Sequence, residues 1–388
     1  MTDQKRLYLF PLLALAALLP VLSACTNEPI FSTIESEIPL RDPTLEGKVP
    51  SLVQFQGYLY ACNGRLKRKL GIAAPGSWQE VARPENRRCA ALAATDSTLY
   101  GLFQNGAWQD GKIYSSTDGV KWSASPLSDG PDTVNRLFPT EGGFYTVTYE
   151  GTGTEQNPAS SYTIYKYDGS WTKLDSSALN GNVPLGISGS YLVTKEHPYR
   201  INGTTIERMP ESESTVENNG GDPFLPGGER DIVGMCVSKL NGTAEHLYVL
   251  TDDNAWHYNG SEWTRHGIGD GNYDGFGRPE VFVPAGRSPL LLMPLELGYR
   301  EAPVDGNGNL TGSNRPGSST ASSVQPEDAS QYRSSIDDYP VDFLYTVTDP
   351  IYLPPECKYA VYASVGHYKY GGLWGYYYPG AYAEWNRE

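Results

Sequence analysis

The amino-acid sequence predicts an all-β protein, a β-propeller built from four-stranded antiparallel blades. Short β-rich hairpins with tight polar turns recur along the 388-residue chain. Their turns are spaced by roughly 40 to 50 residues, which is the period of one propeller blade. A second hairpin follows most of the first ones, and no long segment shows helical periodicity. Two hairpins in each period favour radial blades over a sandwich of long strands.

Each repeat period begins with one hairpin, and the number of these hairpins gives the number of blades. They predict seven blades, with six or eight as alternatives. The predicted segments are 52–61, 90–103, 136–149, 185–195, 231–252, 281–297 and 342–365.

The second hairpins carry the more specific turn chemistry. Asp-Gly and Asn-Gly accept the positive φ of a type I′ turn, which joins two strands without splaying them. A large apolar residue follows each turn, and we expect it to pack between blades. The pairs are Asp118-Gly119 with Trp122, Asp168-Gly169 with Trp171, Asn202-Gly203 with Ile206, and Asn259-Gly260 with Trp263.

One of these turns has a recognisable form. Residues 116–122, Ser-Thr-Asp-Gly-Val-Lys-Trp, resemble the Asp-box of sialidase-like propellers in its shortened version. The resemblance implies that Asp118 caps its own turn and that Trp122 fills the space behind it. Sialidases have an Arg-Ile-Pro segment near the start of the domain, where this chain has Glu37-Ile38-Pro39. No catalytic residue is therefore carried over from that family.

The amino terminus indicates where the protein is placed. Lys5 and Arg6 precede an apolar stretch that ends in Leu22-Ser23-Ala24-Cys25. This string resembles the lipobox of bacterial lipoproteins, which implies cleavage before Cys25 and lipid, including palmitate, on its thiol. A plain secretory leader or a helical anchor is the alternative, but the stretch is shorter than the roughly 20 residues that span a bilayer.

The predicted organisation follows from these two signals. Residues 1–24 form a signal peptide, 25–47 a lipidated polar tether, and 48–388 the propeller. A stretch rich in Gly, Ser, Asn and Pro at 305–330 is predicted to be a long exposed loop between the sixth and seventh blades. Thr26 stands where some lipoproteins retained at the inner membrane have Asp, which favours the outer membrane.

The charge balance limits the partners. A formal net charge of −15 argues against nucleic acid or an anionic lipid surface, because both need clustered Lys and Arg. The basic run at 65–69 is interpreted as a solvated hairpin. The expected partners are the membrane, through Cys25, and a glycan or an envelope protein bound by a monomeric propeller.

Two candidate sites involve cysteines and a cation. Cys62 and Cys89 could form a disulfide if their strands are neighbours, since their spacing matches no zinc motif. Asp270, Asn272 and Asp274 reproduce the first half of a calcium loop. Val281 stands at the twelfth position in place of Glu, with Glu280 one place earlier. A solvated loop has the same composition, so calcium and a plain loop are both open.

Aromatic residues are dense near the carboxyl end of the chain. In a strand, Trp374, Tyr376 and Tyr378 would share one face, with Tyr377 on the other. We interpret these rings as packing between blades, with a sugar-binding or peptide-binding platform as the alternative.

Catalytic motifs cannot be read from the sequence, which contains no HExxH pair, no G-x-S-x-G elbow and no phosphate loop. The predicted function is a lipid-anchored binding or scaffolding module at the bacterial envelope. A glycan-active hydrolase or lyase, with its site in the propeller channel, is one alternative. An assembly platform for other envelope proteins is another. A buried pair of carboxylates with an arginine or a histidine in the central channel would favour the enzyme, whereas a channel lined by small and apolar residues would favour the binding module.

Overall fold

The fold was analysed in a computed structural model. It describes residues 44–124, 130–150, 161–209, 231–240, 242, 244–252, 254–268, 276–283, 288–311, 315–316, 336, 339–367, 371–379 and 385–388. The compact unit that contains them runs from Pro43 to Glu388.

The blades follow one another along the chain. Every sheet has four strands, and each strand pairs antiparallel with the next one in sequence. Blade 1 has β1 (Ser51–Phe55), β2 (Tyr58–Cys62), β3 (Leu66–Leu70) and β4 (Gln79–Glu80); blade 2 has β5 (Arg88–Ala94), β6 (Leu99–Gln104), β7 (Lys112–Ser116) and β8 (Ser123–Ala124); blade 3 has β9 (Arg136–Thr140), β10 (Gly143–Thr148), β11 (Thr163–Tyr167) and β12 (Trp171–Leu174).

The remaining four blades have the same plan. Blade 4 has β13 (Gly186–Ser188), β14 (Tyr191–Val193), β15 (Pro198–Asn202) and β16 (Thr205–Arg208); blade 5 has β17 (Ile232–Ser238), β18 (His246–Thr251), β19 (Asn254–Tyr258) and β20 (Trp263–Gly267); blade 6 has β21 (Glu280–Phe282), β22 (Leu290–Pro294), β23 (Tyr299–Pro303) and β24 (Arg315–Pro316); blade 7 has β25 (Val341–Val347), β26 (Tyr359–Val365), β27 (Gly372–Tyr378) and β28 (Trp385–Arg387). Short 3-10 turns at Pro84–Asn86, Ser177–Leu179 and Pro350–Tyr352 are the helical segments of the described chain. The prediction of seven four-stranded blades is confirmed.

Turn chemistry explains where the hairpins form. Gln56 and Gly57, between β1 and β2, have φ of 47° and 78°, so both central residues of the turn have the positive φ of a type I′ turn. Gly119 has φ of 70°, and a Cβ placed there would lie 1.9 Å from the Tyr60 hydroxyl. Glycine is therefore required at 119 both by the backbone angle and by the space.

The core lies between neighbouring blades rather than within one layer. Strand β27 shows the arrangement, because Trp374, Tyr376 and Tyr378 pack in the cluster shared with blade 6. Tyr377 points the other way, into the cluster shared with blade 1. All four rings are buried, so the packing interpretation of this aromatic run is confirmed.

Blade 6 departs from the predicted organisation. Arg315–Pro316, within the stretch predicted as an exposed loop, pairs with β23 as the outer strand of that blade. A two-residue strand is too short to show an alternation in sequence. Residues 312–314 and 317–335 lie outside the described part of the chain.

The ring closes between blade 7 and blade 1 without a shared strand, since both sheets consist of consecutive strands. The closure centres on Lys69 of β3 and Glu388, whose side chains are both fully buried and form an ion pair at 3.1 Å. The interpretation of 65–69 as a solvated hairpin is therefore wrong. Lys67 is also buried, so the alternation of β3 turns these lysines away from bulk solvent.

Hydrogen bonds surround this ion pair on every side. Oε2 of Glu388 accepts from the Gly76 backbone N–H at 2.9 Å and from Trp78 Nε1 at 2.7 Å. Lys69 Nζ donates to the Tyr362 hydroxyl at 3.1 Å, and Tyr377 donates to Glu388 Oε1. Burial by itself lowers the pKa of Lys69, but the Glu388 charge and Tyr362 raise it above its ordinary value overall. Lys69 is thus charged in the folded protein.

Substitution of Glu388 tests this closure. Glu388→Gln keeps the shape of the side chain but leaves Lys69 buried without a counter-ion. We expect a loss of about 3–5 kcal/mol in the free energy of unfolding, as when one partner of a buried pair is removed. Urea unfolding followed by tryptophan fluorescence measures this loss.

Lys239→Gln provides the matched control. It breaks the ion pair with Glu141, in which the two side chains are 40% and 80% exposed. An exposed pair contributes about 0–1 kcal/mol. Equal losses in the two variants would contradict the closure role of Glu388.

Candidate functional site

A cavity of about 280 Å³ lies in the centre of the ring, where the first strands of the blades face one another. It is lined from six blades and sits near the residues at which β1, β21 and β25 begin. Because these strands belong to different blades, the cavity joins residues far apart in sequence.

The wall of this channel cavity is divided by polarity. Blades 6 and 7 and the segment before β1 contribute most of the ionisable groups, together with apolar residues such as Phe343 and Leu344, whereas blades 3, 4 and 5 and Phe276, in the segment before β21, contribute mainly apolar side chains. The polar side comprises Lys48, Arg278, Glu280, Asp342 and Tyr345, and the apolar side comprises Phe138, Leu185, Ile187, Met235, Val237 and Phe276.

Backbone pairing between blades 6 and 7 positions Arg278. Its backbone N–H donates to the Asp342 carbonyl at 3.0 Å, and the Leu344 N–H donates to the Arg278 carbonyl at 3.3 Å. The guanidinium donates from Nη1 to the Pro50 carbonyl at 3.3 Å and lies 5.9 Å from the centre of the Phe343 ring. Arg278 is therefore held at the rim of the cavity by contacts with three segments.

The side chain of Arg278 is enclosed by the channel wall, yet it is exposed to the lumen. This enclosure lowers its pKa, while the charge of Glu280 acts in the opposite direction. Within the described residues, no carboxylate lies at ion-pair distance from the guanidinium. The Arg278 guanidinium, which has few partners, is therefore available to a ligand that enters the cavity.

Glu280 lies next to this arginine at the start of β21. Its Oε1 accepts a hydrogen bond from Thr346 Oγ1 at 3.0 Å. Burial raises the pKa of Glu280 to about 7, although the Thr346 bond and the Arg278 charge both act to lower it. Near neutral pH this carboxyl group is accordingly divided between its protonated and ionised forms.

The remaining polar groups are held by neighbours. Lys48 Nζ contacts Asp342 Oδ1 at 2.6 Å, with the two side chains 59% and 13% exposed. The other oxygen, Asp342 Oδ2, is buried without a hydrogen-bond partner among the described residues. Gln54 Nε2 donates to the Tyr345 hydroxyl at 3.2 Å, and burial raises the pKa of that tyrosine.

The candidate sites from the sequence lie elsewhere or outside the described residues. Cys25 and the loop residues Asp270, Asn272 and Asp274 are outside them, so lipidation and calcium both stay predictions. Across the described ranges, no group of three or more His, Cys, Asp or Glu side chains could hold a metal ion. Glu280, the substitute suggested for the twelfth calcium ligand, lines the channel cavity.

The structure brings Cys62 and Cys89 together across blades 1 and 2. Both are fully buried in one cluster, and a backbone bridge between Gly64 and Cys89 joins the two blades beside them. Burial and the neighbouring Cys62 thiol raise the pKa of Cys89 well above its ordinary value. The two residues are free thiols in this structure, and their disulfide stays a prediction.

Asp118 is engaged by its own turn. Its Oδ1 accepts from the backbone N–H groups of Lys121 at 2.7 Å and Val120 at 2.8 Å, which lower the pKa of the carboxyl group. Trp122 packs edge-on against Phe103, with ring centres 4.9 Å apart. Asp118 thus caps its own turn, and Trp122 packs against blade 2.

Sequence reasoning missed the polar side of the cavity. Arg278 and Glu280 precede the predicted hairpin 281–297, and Asp342 opens the hairpin 342–365. The one signal available was the position of these charged residues beside the inner strands. The predicted order of blades makes the sixth and seventh neighbours, but nothing in the sequence indicates that these side chains line the channel.

Comparison with known proteins places the chain among relatives. Residues 6–129 match a family model described as the TP013X lipoprotein family. The chain is similar to an uncharacterised lipoprotein of Treponema pallidum (strain Nichols), with 25% identity over 99% of this chain and 100% of the relative. A second uncharacterised lipoprotein of the same organism is 22% identical over 95% of this chain and 94% of its own length.

A solved structure resembles the fold. It is the extracellular domain of a protein described as a hybrid two-component system from B. thetaiotaomicron, with a TM-score of 0.50 and 12% identity. The match covers 86% of this chain but 38% of that one, and it shows the fold alone. In the described part of this chain, no helix is both long and apolar enough to cross a membrane.

Glu280 predicts one pH effect. Its pKa of about 7 in the folded protein exceeds the ordinary value of 4.5, so the folded state holds a proton that the unfolded state releases. Wild-type stability should therefore fall as pH rises from about 5 to 8. Glu280→Gln has no carboxyl group to titrate. Its free energy of unfolding should therefore rise by roughly 1–3 kcal/mol relative to that of wild type as the pH increases over that range. Urea unfolding of both proteins at pH 5.5 and 8.0 measures this change. If the two proteins differ in unfolding free energy by the same amount at both pH values, the raised pKa of Glu280 is contradicted.

His257 predicts the opposite dependence. It is fully buried, with Nε2 at 3.0 Å from His246 Nδ1, and burial together with His246 lowers its pKa to about 4. Between pH 6.5 and 4 the unfolded chain binds a proton that the folded one does not, so acid destabilises the protein. The melting temperature of His257→Gln should therefore fall less between pH 7.5 and 5.0 than that of wild type. Parallel melting curves of the two proteins from pH 7.5 to 5.0 would contradict this.

Proposed function

We propose that this chain is a lipid-anchored β-propeller of the bacterial envelope that binds a small ligand in its channel cavity. Lipidation at Cys25 is supported by the Leu22-to-Cys25 string and by similarity to lipoproteins over nearly the whole chain. The outer membrane is the proposed location, since Thr26 follows the cysteine.

The observation that carries the binding role is the divided wall of the channel cavity. Small-molecule sites combine an apolar surface with a few placed polar groups, often in the mouth of a closed β structure. Here Phe138, Ile187 and Met235 line the same cavity as Arg278 and Glu280. An apolar surface supplies affinity, and the charged groups supply orientation.

The anchor is tested through Cys25. Cys25→Ala should abolish incorporation of radiolabelled palmitate and should move the protein from the membrane pellet to the soluble fraction. Cys357→Ser, at a half-buried cysteine, should change neither. Separation of inner and outer membranes on a sucrose gradient tests the location. Labelling that persists in Cys25→Ala would overturn the anchor.

The binding role is tested by filling the cavity. The detergent-solubilised lipoprotein is incubated with a small-molecule extract of the producing bacterium and examined by native mass spectrometry. A bound species is expected with wild type and with Lys173→Trp, at an exposed position on β12. Ser188→Trp, which places an indole in the cavity wall, should abolish it. Binding that survives this substitution would overturn the channel site.

A glycan-active enzyme is the second candidate. Glu280 and Asp342 share the cavity with Arg278 and Tyr345, and a pair of carboxylates is what most glycoside hydrolases use. Lys48 Nζ pairs with one oxygen of Asp342, and burial raises the pKa of Glu280 to about 7. Turnover of a glycan panel by wild type that is lost in both Glu280→Gln and Asp342→Asn would favour the enzyme over the binding module.

A further inference from the structure

The geometry of the channel cavity points to a class of ligand, an inference that rests on the proposed binding function. We infer that the cavity takes a small carboxylate with an apolar body. The carboxylate lies on Arg278, and the body packs on the wall formed by Phe138, Met235 and Phe276.

The size of the cavity limits the ligand. A volume of about 280 Å³ is near the lower end of the range of roughly 300–1,000 Å³ seen for ligand pockets. A water molecule occupies about 30 Å³ in the liquid, so the space corresponds to about nine waters. A ligand with a similar number of non-hydrogen atoms fits this space.

Arg278 supplies the recognition of the anion. A guanidinium has five N–H donors in a planar fork that matches a carboxylate in a bidentate pair. One of these donors contacts the Pro50 carbonyl, and the backbone of Arg278 is fixed by its pairing with β25. No other hydrogen bond of the guanidinium is seen within the described residues, so its remaining donors are available to a ligand in the cavity.

Of the two cations among the described lining residues, Arg278 is the one available to a ligand. Lys48 is engaged with Asp342 at 2.6 Å and is mostly exposed at the rim. Within the described residues no carboxylate lies at ion-pair distance from Arg278, so an incoming anion would supply a counter-ion in a charge-assisted pair. An organic ammonium ligand would instead meet this charge with repulsion.

Glu280 couples the binding to a proton. Protonated Glu280 can donate a hydrogen bond to a second oxygen of the ligand, whereas the ionised form repels a carboxylate. The groups that act on it are Arg278 on its own segment, Tyr345 and Thr346 on β25, and Cys236 on β17. Because its pKa is about 7, the affinity for a carboxylate should fall as pH rises from 6 to 8.

The apolar wall is completed by a glycine. A Cβ at Gly186 would lie 2.7 Å from both Met235 Cγ and Phe276 Cζ. A side chain at position 186 would have to displace Met235 or Phe276 from the start of β13. The resulting surface and Arg278 line the same cavity, which suits a ligand that is charged at one end and apolar at the other.

Three molecules of matched shape test the inference: 3-phenylpropanoate, 3-phenylpropanamide and 3-phenylpropylamine. Isothermal titration of the full lipoprotein in detergent, with protein-free micelles as the blank, measures their affinities. At pH 6 the carboxylate should bind at least tenfold more tightly than the amide, and the amine should not bind. For the carboxylate, affinity should fall several-fold at pH 8; for the amide it should stay constant.

Variants assign these effects to residues. Arg278→Gln should lower the affinity for the carboxylate at least tenfold and leave the affinity for the amide unchanged. Binding of the amide to this variant also shows that its cavity is still folded. Glu280→Gln should remove the pH dependence. Arg88→Gln is the control, since that exposed side chain lies over Trp108 on blade 2, outside the cavity lining.

The outcomes separate this inference from the proposed function. Equal binding of amide and carboxylate, tight binding of the amine, or no effect of Arg278→Gln would overturn the ligand class. Absence of binding by all three molecules would overturn it as well. If a species from the bacterial extract still binds and Ser188→Trp still removes it, the channel site stands without this ligand class.

Discussion

The buried ion pair between Lys69 and Glu388 is the interaction on which the closed ring depends. Each blade is a sheet of consecutive strands, so no strand crosses from blade 7 to blade 1 to hold the ring shut. Two charges removed from water are tolerated only when each has a partner and hydrogen bonds satisfy the rest. Trp78, Tyr362 and Tyr377 provide those bonds, and they come from both blades. The seam is therefore specified by polar groups as well as by packing.

The channel cavity is built beside the same seam. Lys48 reaches Asp342 of β25, and the Val49 N–H donates to the Ser364 hydroxyl at 3.0 Å, so the segment before β1 is attached to blade 7. The Pro50 carbonyl that contacts Arg278 belongs to this segment. Opening the seam would displace Pro50 and remove the one described side-chain hydrogen bond that orients the guanidinium. Stability of the ring and geometry of the site are in this way coupled.

Local chemistry explains what the sequence predicted correctly. Turn residues and the period-two alternation act over a few positions, so seven hairpins and the two faces of β27 could be read directly. The burial of Lys69 could not, because it depends on Glu388, more than 300 positions away. The polar side of the cavity joins Lys48 to residues near 280 and 342 by the same long-range closure. Strand β24 was missed because two residues carry no pattern.

A double-mutant cycle on Lys69 and Glu388 tests the closure most directly. Urea unfolding of wild type, Lys69→Met, Glu388→Leu and the double variant gives the coupling energy between the two side chains. The account predicts a coupling of at least about 2 kcal/mol, since the double variant buries no unpaired charge while each single variant does. Additive losses, with coupling near zero, would contradict the claim that this pair closes the ring.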